Sequence, residues 1–208
     1  GNIPIGVKGL GVDLRSMSAH KIDGAKGVGA LYRRKGLRIT NYMHGGAQES
    51  KRRAGTENVA GIVGFGKAAE LAGQNLESHM ADLRELRDYF WEKIRTNITG
   101  VQLNGSAEKR HPGNLNVSFD YIEGEAILLM LDAGGISVST GSACSSKSLV
   151  PSHVLDALGV PITKMNGTVR FTIGDFTTKE DIDYVADVLT KVVERLRELS
   201  PVTGQEGW

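Results

Sequence analysis

The sequence predicts an α/β chain, and three observations carry that prediction. Short apolar-alternating runs recur between longer stretches whose apolar residues fall at helical spacing. Glycine, asparagine and proline pairs punctuate the boundaries, as at Asn104-Gly105 and His111-Pro112-Gly113. Glycine itself, at 27 residues, has roughly twice its usual share and gathers near Lys21, His44 and Cys144.

After a weakly patterned entry over Gly1 to Gly11, Val12 to Ser18 reads as a buried strand and Gly29 to Arg33 as a second. Tyr42 to Asn58 is a polar, glycine-containing loop. From Val59 the period turns helical, with Val59, Ile62, Val63 and Phe65 to Ala69 on one stripe and Leu83, Leu86, Phe90 and Ile94 on another. Gly73 and Ser78 are the expected break between them. Val101 to Leu103 and Asn114 to Phe119 alternate as strands. Glu123 to Leu131 reads as a helix closed by Gly134-Gly135, where glycine tolerates the left-handed C-terminal conformation. Ile136 to Val138 is expected to be a short strand, and Thr168 to Ile173 a longer one carrying Arg170. Thr177 with Glu180 fits a capping box for a last helix whose core stripe runs through Ile182, Val185, Val192 and Leu196. The domain reading is residues 1–58, connecting helices over 59–100, and a compact small α/β domain over 101–208.

Composition narrows the function classes. With 25 basic and 24 acidic residues, a net charge of +1 gives no general attraction to nucleic acid or an anionic membrane. No apolar run is long enough to cross a bilayer, and Gly1-Asn-Ile-Pro4 lacks the pattern of a signal peptide, so the expected compartment is the cytoplasm. One cysteine permits no intrachain disulfide, which agrees with a reducing compartment. No metal site is expected.

The chemistry-bearing stretch is Ser18-Ala-His-Lys21, followed at once by Gly24, Lys26, Gly27 and Gly29. A lysine at the end of a strand, against glycine-rich backbone, can be held part-desolvated, which makes its amine nucleophilic toward a carbonyl. Taken alone, Lys21 reads first as a solvated surface charge; its neighbours change that. Ser18 and His20 alternate, so an extended segment turns both to one face, where they can serve one anion. Hydroxyl, imidazole and amine together point to a phosphorylated carbonyl cofactor such as pyridoxal phosphate. Cys144 lies in Ser139-Thr-Gly-Ser-Ala-Cys-Ser-Ser-Lys147, residues too small and polar to build a core. It is either an inert buried thiol or a reactive one, with Lys147 as a cationic neighbour. Arg170 fits a structural ion pair or a bidentate carboxylate holder.

The motifs Val12-Asp13-Leu14, Ser18-Ala-His-Lys21, Gly27-Val-Gly-Ala-Leu31, His44-Gly-Gly46, Arg53-Ala-Gly-Thr56 and Gly141-Ser-Ala-Cys144 stand in this order along nearly the whole chain. Together they resemble the NifS/IscS type of cysteine desulfurase. The resemblance implies the fold type I of pyridoxal-phosphate transferases, with residues 1–58 as the C-terminal part of the large cofactor domain. It also implies that about half of a desulfurase lies outside this sequence and is supplied by another chain or a cleaved segment. Lys21 would hold the cofactor and move the Cα proton, Ser18 and His20 would bind its phosphate, and Thr56 would reach the phosphate in the other subunit of a homodimer. Arg170 would hold the carboxylate of substrate L-cysteine. Cys144 would take the sulfur as a persulfide, releasing alanine. The run Gly141-Ser-Ala-Cys-Ser-Ser146 with Leu149-Val-Pro-Ser-His-Val154 resembles the long-loop class that serves iron–sulfur assembly, with a scaffold protein as sulfur acceptor. The competing readings are another pyridoxal-phosphate enzyme, a selenocysteine lyase or aminotransferase, and a non-catalytic partner-binding fragment.

Overall fold

The computed structural model describes residues 1–140 and 152–200. It divides into two compact units, Gly1–Ser78 and His79–Trp208.

In the first unit β1 (Leu14–Ser18) and β2 (Gly29–Arg33) form an antiparallel hairpin, in register from Leu14 opposite Arg33 to Ser18 opposite Gly29. A salt bridge of 2.8 Å between Arg34 and Asp13 closes its open end. The first strand starts two residues later than Val12, and it is not buried. Leu14, Met17 and Leu31 are 45%, 41% and 54% exposed, since among the described residues this sheet has two strands only, too few to cover its own side chains. The loop beyond contains α1 (Gln48–Lys51), a single turn whose Glu49, Ser50 and Lys51 all hold positive φ. Helix α2 (Val59–Gln74) opens where the Asn58 side chain accepts the Gly61 N–H at 3.1 Å, which satisfies one of the orphan donors of a helix start. The break expected in the stretch holding Gly73 and Ser78 falls between them at Asn75, which caps α2 before α3 (Leu76–Asn97) begins.

The second unit is built on a three-stranded antiparallel sheet, β3 (Val101–Leu103), β4 (Asn114–Phe119) and β5 (Thr168–Thr172), in that spatial order. Alternation sorts β4 and β5 onto two faces. Leu115, Val117 and Phe119 with Val169 and Phe171 join one buried cluster with Leu83, Phe90 and Ile94 of α3. Ile127 and Leu131 of α4 (Gly124–Ala133) and Ile182, Leu189 and Val193 of α7 (Lys179–Leu199) complete it. The Phe90 and Phe171 rings meet edge to face with centroids 5.0 Å apart, the arrangement their quadrupoles favour. The short helices α5 (His153–Ala157) and α6 (Ile162–Met165) contribute a satellite cluster of Leu155, Val160 and Met165.

Two local expectations are corrected. Ile136 to Val138 does not form a strand: only Ser139 bridges to β5, through Arg170, because one pair of ladder bonds is all this segment makes. The capping box of α7 lies one residue further on, with Thr178 accepting the Asp181 N–H at 3.1 Å and Asp181 accepting the Thr178 N–H at 2.9 Å. Both threonines carry the required hydroxyl, and Thr177 is used elsewhere, accepting the Gly174 N–H.

These hydrogen bonds from Thr178 hold the Asp181 carboxyl below the usual carboxylate range. A depressed carboxyl contributes stability above its unfolded-state pKa and loses it as pH falls through the folded one. Thr178→Ala should therefore cost about 1 kcal/mol at neutral pH, measured by urea denaturation, and the deficit should shrink on acidification. A deficit independent of pH would contradict this account of the cap.

Candidate active site

The turn that carries Lys21 is set by Ala19. This residue has no solvent exposure. Its N–H donates to Val28 O at 3.1 Å, and its carbonyl accepts the Gly24 N–H at 2.9 Å. Pinned at both ends, the chain leaves the extended conformation of Ser18 (φ −123°, ψ 131°) and curls into a 3-10 turn over Ala19–Ile22. His20 and Lys21 stand exposed on that turn. The expected period-two pairing of Ser18 with His20 is thus replaced by a helical step, because burying Ala19 bends the backbone between them. Lys21 is not part-desolvated by the residues described here; it is open to whatever binds the turn.

Glycine is required at specific points. A Cβ on Gly24 would lie 2.9 Å from Ala19 Cβ and 3.0 Å from its carbonyl oxygen, and one on Gly29 would lie 2.6 Å from Met17 O. The Ser18 hydroxyl does not cap the turn it precedes. An exposed primary amine, a hydroxyl not spent on capping, an adjacent imidazole and a turn closed by backbone fit a phosphorylated aldehyde: the amine for the carbonyl, the others for the phosphate.

Thr56 is exposed in the same unit, on a loop organised by its own bonds. Met43 bridges Arg53, the Arg53 guanidinium donates to Gly55 O and Thr56 O at 3.2 and 3.4 Å, and Gln48 accepts the Gly55 N–H.

Arg170 belongs to the second unit, half-buried on β5 opposite Asn116. Its backbone exchanges two hydrogen bonds with Ser139, of 3.1 and 2.6 Å. Its Nε is buried and without a hydrogen-bond partner among the described residues. No carboxylate pairs with it there either, so the ion-pair alternative gains no support, and a guanidinium with an unused donor fits an incoming carboxylate. Cys144 and Lys147 lie outside the described residues.

Sequence reasoning missed a polar cluster beside Arg170. Asn104 Nδ2 donates to Asn116 Oδ1 and to Ser118 Oγ, both at 2.8 Å, and Ser118 Oγ shares a hydrogen bond of 2.8 Å with Thr168 Oγ1. Arg110 anchors Asn104 by donating to its carbonyl at 2.7 Å, and burial first, then the like charge of Arg87, lowers the Arg110 pKa. The signal was legible: Asn114, Asn116 and Ser118 occupy every second position of a strand whose other side is apolar.

The aminotransferase class-V profile matches residues 1–185. The chain belongs to the aminotransferase class-V family. Members of this family depend on pyridoxal phosphate. The chain is 57% identical over 201 residues to the cysteine desulfurase IscS of Dictyoglomus turgidum, covering 97% of this chain and 51% of that protein. To the IscS of Methanosarcina thermophila it is 52% identical over 206 residues, covering 99% and 51%. Among solved structures, a NifS-like protein superposes with a TM-score of 0.83 at 35% identity, covering 94% of this chain and 50% of that one. The NifS-like protein of Rickettsia africae gives 0.81 at 28% identity, covering 93% and 51%. The class-V chain therefore has the α/β fold of fold type I pyridoxal-phosphate enzymes, and it spans about half the length of the relatives it matches. Among the described residues no helix is long and apolar enough to cross a membrane, and no cluster of His, Cys, Asp and Glu could hold a metal ion.

Gly29→Ala should force β1 and β2 apart and disturb the Ser18–Lys21 turn, read as faster amide exchange at Ala19. Gly64→Ala in α2, where a Cβ meets nothing within 4 Å, should leave that exchange unchanged and stabilise the helix by about 0.5–1 kcal/mol. Equal exchange at Ala19 in the two variants would refute the role given to Gly29.

Proposed function

We propose that this chain is the lysine- and cysteine-bearing half of a cysteine desulfurase, converting L-cysteine to L-alanine and passing the sulfur on. The observation that carries the reading is the exposed Ser18–Lys21 turn within a chain 57% identical to a protein named as a cysteine desulfurase.

In this reading residues 1–58 complete a large cofactor domain, 59–100 connect, and 101–208 form the small domain. Ser18 and His20 take the cofactor phosphate, with Thr56 reaching the phosphate in the second subunit of a homodimer. Lys21 would hold the aldehyde, and its amine would be the group that takes the Cα proton. Pyridoxal phosphate, when bound, supplies the electron sink that stabilises the charge left at Cα. Arg170 fixes the substrate carboxylate through its unused donor. The Cys144 thiolate attacks the substrate sulfur, the carbon–sulfur bond breaks with its electron pair left on carbon, that carbon is protonated, and alanine leaves while the sulfur stays on Cys144 as a persulfide. The relatives are about twice as long as the span matched here, so the reading assigns the activity to this chain together with the remaining half. The IscS names of the relatives and the small-residue run around Cys144 favour an iron–sulfur scaffold protein as sulfur acceptor. A single cysteine agrees with the cytoplasm.

The test measures alanine and sulfide from L-cysteine with a thiol reductant, in protein reconstituted with the remaining half. Lys21→Ala should lower turnover by about 10²–10⁴-fold. Cys144→Ser should stop sulfur release while the cofactor stays bound. Arg170→Lys should raise KM about tenfold, the equivalent of about 1.4 kcal/mol. Normal sulfide release by Cys144→Ser would overturn the reading.

A further inference from the structure

The sheet of the second unit has one apolar and one polar face, and part of the polar side is buried. Asn104, Ser118 and Thr168 are 1%, 0% and 1% exposed. Burying such groups is tolerated when they bond one another, and hydrogen bonds of this kind hold the side chains they join, although Asn104 Oδ1 and the Arg110 Nε and Nη1 are buried without a hydrogen-bond partner among the described residues. Asn104, anchored by Arg110, donates along two branches: one ends at Asn116, and the other passes through Ser118 to Thr168, which also donates to Lys164 O at 3.0 Å. Arg170 stands beside the ends of both branches. Asn116 is its direct cross-strand partner, and Thr168 lies two residues away on the same strand. Directly opposed residues of an antiparallel pair share a face, with Cβ atoms about 4.5–5.5 Å apart, so the stem of Arg170 leaves the sheet beside Asn116. The Nε of Arg170 is buried although the residue as a whole is only half-buried.

We propose that Asn116 is a positioning residue for Arg170: locked by Asn104 into the polar network, it fixes the direction in which the Arg170 guanidinium is presented to an amino-acid carboxylate. The carboxylate role of Arg170 rests on the function proposed above; the positioning does not. The Asn116 amide is neutral, so it steers the guanidinium without neutralising it. A carboxylate at the same place would compete with the substrate for the same donors.

Two measurements separate the positioning from the function. In this chain, nitrogen NMR of the Arg170 Nε–H should show solvent exchange about tenfold faster in Asn116→Ala, equivalent to about 1.4 kcal/mol of lost protection; unchanged exchange overturns the proposal. In the reconstituted enzyme, L-alanine affinity by calorimetry and KM for L-cysteine should worsen in Asn116→Ala and worsen further in Asn116→Asp, with kcat within about twofold of wild type. A merely structural role gives the opposite order, since aspartate is nearly isosteric and keeps the acceptor that Asn104 uses, and that order overturns the proposal. If exchange at Arg170 quickens while Arg170→Ala leaves L-alanine affinity and KM unchanged, the positioning stands and the carboxylate role falls.

Discussion

The antiparallel pairing of β4 with β5 is the constraint on which the second unit depends. Because Leu115 faces Phe171 and Val117 faces Val169 across the ladder, five apolar side chains are delivered to one side of the sheet, where α3, α4 and α7 close over them. Full burial of each is worth about 1.5–3 kcal/mol. A slip of one residue would send them all to the other face and bring Asn116, Ser118 and Thr168 into the apolar cluster without partners. The same register that builds the core therefore fixes Arg170 opposite Asn116.

The first unit solves a different problem with fewer contacts. Its hairpin has little core, yet Lys21 is held at a defined place because Ala19 is buried and bonded on both sides, to Val28 and to Gly24. The glycines beside it are small for identifiable steric reasons, so the richness in glycine around Lys21 is a geometric requirement of the turn and not a mark of looseness.

The strands and long helices of the second unit were legible because their periods are strong: Asn114 to Phe119 alternates cleanly, and α7 keeps its stripe for 21 residues. What the sequence hid were choices between neighbours. Thr177 and Thr178 are chemically alike, and only the backbone selects which one caps. Ser18 and His20 have the spacing of a strand, but the burial of Ala19 bends the chain between them. The exposure of Leu14, Met17 and Leu31 was unreadable from apolar alternation, which reports that a face is suited to cover and says nothing of what covers it. Arg170 stands out in the sequence as a charge among the apolar residues of its strand, whereas Asn116 reads as one more strand residue, because a polar position reveals its role only when the register names its partner.

The central claim is that the amine on the Ala19-pinned turn is the group that holds the cofactor aldehyde. Its most direct test is borohydride reduction of the reconstituted protein with pyridoxal phosphate, followed by peptide mapping by mass. The account predicts one pyridoxyl addition, on Lys21, lost when that residue is replaced by alanine. An adduct on Lys26 or on another lysine, with Lys21 unmodified, would contradict it.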